Sequence, residues 1–223
     1  MTDGALRVVA ISDTHGLHTQ LELPPGDVLL HAGDYSTHGA PDEFFEFTAW
    51  FAAQPHRHKL MVAGNHDVVL EQNPEACLPQ LPPSITYLRD RAVTVEGVTF
   101  YGAPWTPEFC RWAFMLDRGA PLRAVWSKIP RDTQVLITHG PPYGHGDLVP
   151  GYGTPPRAVG CLELLLAVAR VRPAWHVFGH IHEGYGVSRS DELPTRFVNA
   201  ALCEPDYESL RAPLVFEVAP RAS

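Results

Sequence analysis

Short apolar runs rich in β-branched residues recur along this chain, and most of the early ones end in a polar cluster. Residues 6–11, Leu-Arg-Val-Val-Ala-Ile, predict a buried strand that runs into Ser12-Asp13-Thr14-His15-Gly16. Residues 27–31 predict a second strand ending in Ala32-Gly33-Asp34, and residues 58–63 a third running into Gly64-Asn65-His66-Asp67. Residues 134–138 and 174–178 predict two more, ending in His139-Gly140-Pro141-Pro142 and Gly179-His180-Ile181-His182. The pattern turns helical over residues 41–54. Proline stands near the start, acids follow, and Phe44, Phe47, Thr48 and Phe51 share one face, which reads as core packing. Residues 68–75 predict the start of a helix that Pro79, Pro82 and Pro83 break, and residues 160–171 predict an apolar helix. Residues 86–88, 92–95 and 98–101 read as short strands, the last two joined by a Glu96-Gly97 turn, and residues 184–187, 196–200 and 214–218 as three closing strands.

Two stretches fit neither period. Residues 104–118 carry Trp105, Phe109, Trp112 and Phe114; packing is the expected role, an active-site wall the alternative. Residues 143–156 are rich in Gly, Pro and His and suit a mobile wall over a site. No repeat, low-complexity tract or linker interrupts the chain, so one domain over residues 1–223 is expected. Strands alternating with helices predict an α/β sandwich, in which ligands gather beyond the carboxyl ends of the strands.

Composition narrows the function. The chain has 223 residues, 45% hydrophobic, with a formal charge of −8. That is an ordinary globular composition, and its acidity argues against nonspecific binding of a nucleic-acid polymer. Cys77, Cys110, Cys161 and Cys203 lack zinc-site spacing and are too few for a disulfide framework, so they are expected to be reduced and mostly structural. The N-terminus shows no signal-peptide pattern and no transmembrane run follows, which makes a cytoplasmic location the expectation.

The 12 histidines matter because several sit at strand ends. Asp13/His15, Asp34, Asn65/His66, His139 and His180/His182 follow five separate strands in order. Asp-x-His alone is a common turn, and Gly-Asn-His alone a common helix cap. Five such sets at strand ends predict that oxygen and nitrogen ligands converge. Asp13, His15, Asp34, Asn65, His139, His180 and His182 are too many for one tetrahedral zinc and suit two metals bridged by a carboxylate, with Asp34, alone on its loop, as the natural bridge. Carboxylate, amide and imidazole donors without thiolate favour Mn, Fe, Co or Zn. Two divalent ions about 3.5–4 Å apart share a hydroxide, lower its pKa and serve in-line attack on phosphorus.

The ordered set Asp13-x-His15, Gly33-Asp34, Gly64-Asn65-His66-Asp67, His139 and Gly179-His180-x-His182 resembles the calcineurin-like metallophosphoesterase superfamily and spans residues 13 to 182. Longer stretches, among them Leu29-Leu30-His31-Ala32-Gly33-Asp34 and Val177-Phe178-Gly179-His180-Ile181-His182-Glu183-Gly184-Tyr185-Gly186, resemble its MPPED-type (metallophosphoesterase domain-containing) subgroup. Val198-Asn199-Ala200 followed by Cys203 fits the same subgroup. The resemblance implies a four-layer αββα sandwich of two mixed β-sheets flanked by helices. It implies that Asp13, His15 and His182 hold the first metal, that Asn65, His139 and His180 hold the second, and that Asp34 bridges them. It also implies that His66 faces the phosphate, oriented by Asp67. Some animal members of the subgroup carry glycine where this chain has His180, so its presence implies a complete dimetal site, Mn²⁺ foremost, and a competent enzyme.

Phosphoprotein phosphatases of this superfamily place arginine just before Gly-Asn-His, where its fork grips a dianionic monoester. Here that position is Ala63. The expectation is therefore a phosphodiesterase acting on small phosphodiesters, with His66 as general acid, and the resemblance points to 2′,3′- or 3′,5′-cyclic nucleotides. Arg111, Arg118 or Arg157 folding over the site would instead support a phosphomonoesterase. A non-catalytic scaffold would not need His66, and a nuclease is disfavoured by the acidic balance. Tyr35, His38, Tyr143, His145 and Trp105 are candidate substrate contacts, while His18, His31, His56, His58 and His176 read as structural or exposed. A small-molecule substrate and no membrane partner are expected, and a homo-oligomer is compatible with the sequence.

Overall fold

The computed structural model describes residues 4–151 and 153–221; residues 1–3, read above for a targeting signal, and Tyr152 of the glycine-rich loop lie outside the described residues. Leu6–Ile11 forms β1 and Val28–His31 forms β2. Pro41–Ala53 forms α1, with proline in its first turn and the Glu43 carboxylate accepting the backbone N–H groups of Thr37, His38 and Ala40. His58–Met61 forms β3, followed by α2 (Val68–Gln72) and α3 (Pro74–Cys77). One helix was expected here. Pro74 disfavours helical dihedrals at the residue before it, and the helix stops at Asn73 (φ −134°), ahead of the later prolines.

Then come β4 (Ile85–Tyr87), β5 (Arg91–Val95) and β6 (Val98–Ala103). A two-residue ribbon, β7 (Thr106–Pro107) with β8 (Met115–Leu116), brackets the aromatic stretch. Next is α4 (Ala120–Ser127), a two-turn helix that buries Leu122 and Trp126. β9 (Val135–Thr138) precedes a second ribbon, β10 (Leu148–Val149) with β11 (Arg157–Ala158). The chain closes with α5 (Leu162–Val171), β12 (Trp175–Phe178), β13 (Gly186–Arg189), β14 (Arg196–Asn199) and β15 (Leu214–Val218).

Two mixed sheets result. The first runs β15-β1-β2-β3-β4, parallel except that β15 pairs antiparallel with β1, Leu6 opposite Val218. The second runs β13-β14-β12-β9-β6-β5, with a parallel centre and antiparallel edges. Successive strand residues point to opposite faces, which sorts the apolar runs into three cores. Leu6, Val8 and Ala10 face inward and pack with Leu30, Phe100, Ile137, Val177 and Val198 between the sheets. Val9, Ile11 and Leu29 face outward against Phe44, Phe47 and Phe51 of α1. Leu136 and Phe197 face the other way, against Leu122 and Trp126 of α4 and Leu164 and Val168 of α5. The layers are helix, sheet, sheet, helix, as expected.

The carboxyl ends of the two sheets are stitched together. Ser12 bridges to Ala201, and Leu202 and Cys203 donate to the carbonyls of Ser12 and Asp13 at 3.0 and 3.2 Å. The loops after β1, β2, β3, β9, β12 and β14 therefore meet along one edge. Among the described residues no helix is long and apolar enough to cross a membrane.

Candidate metal centre

The ligand loops turn tightly. Asp13 (φ 51°), His15 (41°), Asp34 (57°) and His180 (68°) all lie in the left-handed region, at a cost of order 1–3 kcal/mol each. Hydrogen bonds between loops hold them there. Asp13 N–H donates to the Gly33 carbonyl (2.8 Å), His15 N–H to the Asp34 carbonyl (3.2 Å), and Gly179 N–H to the His139 carbonyl (2.9 Å). His180 N–H is shared by both Asp13 carboxylate oxygens, at 3.0 Å each. Gly64 and Gly179 are glycine because the ligands leave no room. A Cβ on Gly64 would collide with the Asp34 carboxylate and stand 2.6 Å from His139 Cε1; one on Gly179 would collide with the Asp13 carboxylate and stand 2.8 Å from Ser12 Cβ.

Three ligand groups form in consequence: Asp13 with His15 and His182; Asp34 with His139 and His180; and His15 with Asp34 and His66. Within each, the ligand atoms lie within 4.8 Å of one another. Asn65 joins the second, its Oδ1 2.9 Å from His139 Nε2. All seven residues expected as ligands are thus together at the sheet edge.

The donor chemistry fits cations. His15 pairs Nδ1 with the Ser36 carbonyl at 3.2 Å, which leaves Nε2 buried without a partner. His139 pairs Nδ1 with the Ala32 carbonyl at 3.0 Å, which turns Nε2 onto two oxygens, Asn65 Oδ1 at 2.9 Å and Asp34 Oδ2 at 3.3 Å. With Nδ1 as donor, a neutral His139 would bring three lone-pair atoms together, a contact that a proton on Nε2 or a bound metal ion resolves. His182 Nδ1 is a further buried nitrogen without a partner. A carbonyl on one imidazole nitrogen and an open second nitrogen is the usual arrangement around metal-bound histidine.

The charges agree. Burial works against ionised Asp34, yet the His139 charge and hydrogen bond outweigh it and hold the carboxyl at about 2. Burial likewise opposes charge on His139, but Asp34 and Asp13 raise it to about 9. Asp13 is held far below the usual carboxylate range, burial being overcome by His182, His139 and His15. In the protein without metal, protons on histidine neutralise the carboxylates, and divalent ions would displace them.

Asp67 does not orient the His66 ring, contrary to what the resemblance implied. The Asp67 carboxylate accepts Gly64 N–H (2.7 Å), Asp34 N–H (2.9 Å), Ser36 N–H (3.2 Å) and Ser36 Oγ–H (2.9 Å). It fastens the loop after β2 to the loop after β3 and does not hold the His66 ring. Burial and the Asp34 charge push its carboxyl up to about 8, against the hydrogen bonds from Gly64 and Ser36. His66 instead pairs Nδ1 with the Thr37 carbonyl at 2.8 Å, so Nε2 is the nitrogen available to the cleft it lines.

That cleft has a volume of about 910 Å³, with Asn65, His66, His180 and His182 among its lining. The candidate substrate residues are not part of it. Tyr35 is buried and stacked on Phe47 at 4.6 Å, because the left-handed turn at Asp34 sends the next side chain into the helix-side core. His145 stacks on Phe197 at 3.8 Å. Trp105 donates Nε1–H to Asp90 and packs with Phe114. His38 and Tyr143 are exposed and lie outside the lining. The aromatic stretch divides: Phe114 fills core, while Phe109 and Trp112 are exposed in the cleft, Phe109 against His180 at 5.4 Å and Trp112 against His66 at 4.1 Å.

Two arginines, Arg118 and Arg157, line the cleft, but Arg118 spends its guanidinium on the carbonyls of Gly160 (2.8 Å) and Val159 (2.6 Å). Ala63 is buried in the core beside α1. Tyr207, which the sequence did not single out, stands 4.9 Å from His15 and 5.1 Å from His182 in a left-handed turn. His18, His31, His56 and His176 are buried in structural roles, and His58 pairs with Glu96 at 3.1 Å. Cys77, Cys161 and Cys203 are buried free thiols, and Cys110 is exposed in the cleft.

Comparison with known proteins agrees with this geometry. Residues 6–184 match the family model described as calcineurin-like phosphoesterase. The chain belongs to the calcineurin-like phosphoesterase family. It is a phosphoesterase, and members of this family typically use divalent metals. It is 40% identical to human "Metallophosphoesterase domain-containing protein 1" over 99% of this chain and 73% of that protein. It is 38% identical to "UPF0046 protein K07C11.7" of Caenorhabditis elegans over 97% of this chain and 77% of that protein. The fold is shared with TT1561 of Thermus thermophilus, at a TM-score of 0.60 and 14% identity over 97% of this chain and all of that one.

Proposed function

We propose that this phosphoesterase hydrolyses small phosphodiesters, cyclic nucleotides foremost, with two divalent cations. Asp13, His15 and His182 would hold one, Asn65, His139 and His180 the other, and Asp34 both, with Mn²⁺ the expected ion. The observation that carries the reading is the convergence of the seven candidate ligands around open imidazole nitrogens. The ions would supply Lewis acidity at the phosphoryl oxygens and a nucleophile of lowered pKa.

The chain's own contribution is positioning and proton transfer. Asp67 fixes the loops that carry Asp34 and Asn65. His66, held through Nδ1 by the Thr37 carbonyl, presents Nε2 to the cleft. A proton on Nε2 would pass to the departing oxygen, which an alkyl leaving group needs more than an aryl one does.

Arg118 and Arg157 on the cleft wall favour a second reading, hydrolysis of monoesters. A singly charged diester needs less clamping than a dianionic monoester, and the arginine fork that recognises the latter is absent at Ala63. The test is steady-state hydrolysis with Mn²⁺ of an aryl phosphodiester against its monoester. A higher kcat/KM for the diester supports the reading; a higher value for the monoester transfers it to the second.

A further inference from the structure

Phe109 and Trp112 are 56% and 40% exposed, although the same stretch supplies Phe114 to the core. Their exposure is built in. The β7–β8 ribbon closes the loop that carries them, and Glu108 accepts Arg111 N–H at 2.6 Å. Ala113 N–H donates to the Asn65 carbonyl at 3.2 Å, and Phe114 N–H to Glu71 at 2.8 Å. The loop is thereby tied to the residue that carries one of the candidate ligands. Its two exposed rings lie over His180 and His66, where the cleft leaves the candidate metal centre.

We infer that Phe109 and Trp112 form a stacking platform for a flat aromatic group, such as a nucleobase, on one ester arm of the substrate. This rests on the phosphoester reading of the site. Rings held at the mouth of a cleft offer flat apolar area with little rotamer entropy to lose. Every planar heterocycle has a face to lay on them. The cleft, at about 910 Å³, is large enough for a mononucleotide-sized ligand. Tyr207 lines the same cleft against His15 and His182, whereas Phe109 and Trp112 lie against His180 and His66, so the planar group is expected on the His66–His180 side. Stacking of this kind changes affinity by about tenfold per ring.

The test compares binding of a mononucleotide with binding of the matching base-free sugar phosphate to the Mn²⁺-loaded protein, by calorimetry. It is repeated with Phe109→Ala, Trp112→Ala, the double variant and Trp112→Phe. The wild type should prefer the nucleotide by tenfold or more. The double variant should lose that ratio, and Trp112→Phe should keep most of it. Equal affinities in the wild type, or a ratio that survives the double variant, would overturn the platform while leaving the phosphoester reading intact. Failure of both ligands to bind would overturn both.

Discussion

Replacing Gly64 by alanine should dismantle the metal centre without touching a ligand. The added Cβ would stand 2.5 Å from the Asp34 backbone nitrogen and 2.6 Å from His139 Cε1, and would overlap the Asp34 carboxylate. Carbon atoms rest at about 3.5 Å or more, so the His139 ring must retreat by about 0.9 Å. Metal sites tolerate displacements of about 0.2 Å. His139 has nowhere to retreat, being fully buried with Nδ1 on the Ala32 carbonyl. The shift would also strain the Gly64 N–H bond to Asp67. Forcing a methyl into such packing costs about 1–3 kcal/mol of stability. If both metals share Asp34 as proposed, affinity should fall at least as far as for an outer-shell lesion, about 10- to 100-fold. Calorimetric Mn²⁺ titration reads the affinity, and urea melts with chelator present read the stability. Gly179→Ala attacks Asp13 from the other sheet and should weaken metal binding in the same way. A Gly64→Ala protein that binds two Mn²⁺ as tightly as the wild type would refute the steric argument.

Asp67→Ala would leave the N–H groups of Gly64, Asp34 and Ser36 without their acceptor, and should lower Mn²⁺ affinity about 10- to 100-fold in the same titration. His66→Ala should leave Mn²⁺ affinity near the wild-type value but lower kcat. The loss should be larger for alkyl than for aryl leaving groups, since only the former need the proton. His176 gives a pH prediction. Thr138 Oγ–H donates to the Gly140 carbonyl, so His176 Nε2–H must donate to Thr138, and its buried Nδ1 has no partner. Burial lowers the His176 pKa to about 3, below its unfolded value near 6.5. Its contribution to stability is therefore complete above pH 6.5 and is lost as pH falls toward 3, because the unfolded chain takes the proton first. In urea melts from pH 6.5 down to 4.5, His176→Gln should flatten the decline by about 1.4 kcal/mol per pH unit; parallel slopes in the two proteins would contradict this.

The ligand loops were legible because each apolar run is short, ends abruptly, and is followed by residues with few other reasons to cluster. The layers were legible because period-2 alternation, as in Leu6/Val8/Ala10 against Val9/Ile11, divides a strand between two cores. The left-handed turns at Asp13, His15, Asp34 and His180 were not, since non-glycine residues there are favoured by tertiary hydrogen bonds and not by local preference. The same turns account for Tyr35, which follows the candidate ligand Asp34 in sequence but points into the helix-side core and not into the cleft. α4 escaped notice because it turns only Leu122 and Trp126 inward, too little for a period to emerge. Nothing in the spacing of Trp105, Phe109, Trp112 and Phe114 separates the anchors from the cleft rings; the β7–β8 ribbon does that. Tyr207 lies in a polar loop with no motif and reaches His15 through the fold alone.

The central claim is a pair of cations sharing Asp34, and electron paramagnetic resonance of the Mn²⁺-loaded protein tests it most directly. The account predicts two Mn²⁺ per chain with an exchange-coupled signal, replaced in Asp34→Asn by an uncoupled one or by loss of metal. One Mn²⁺ per chain at saturation, or two uncoupled ions in the wild type, would contradict it.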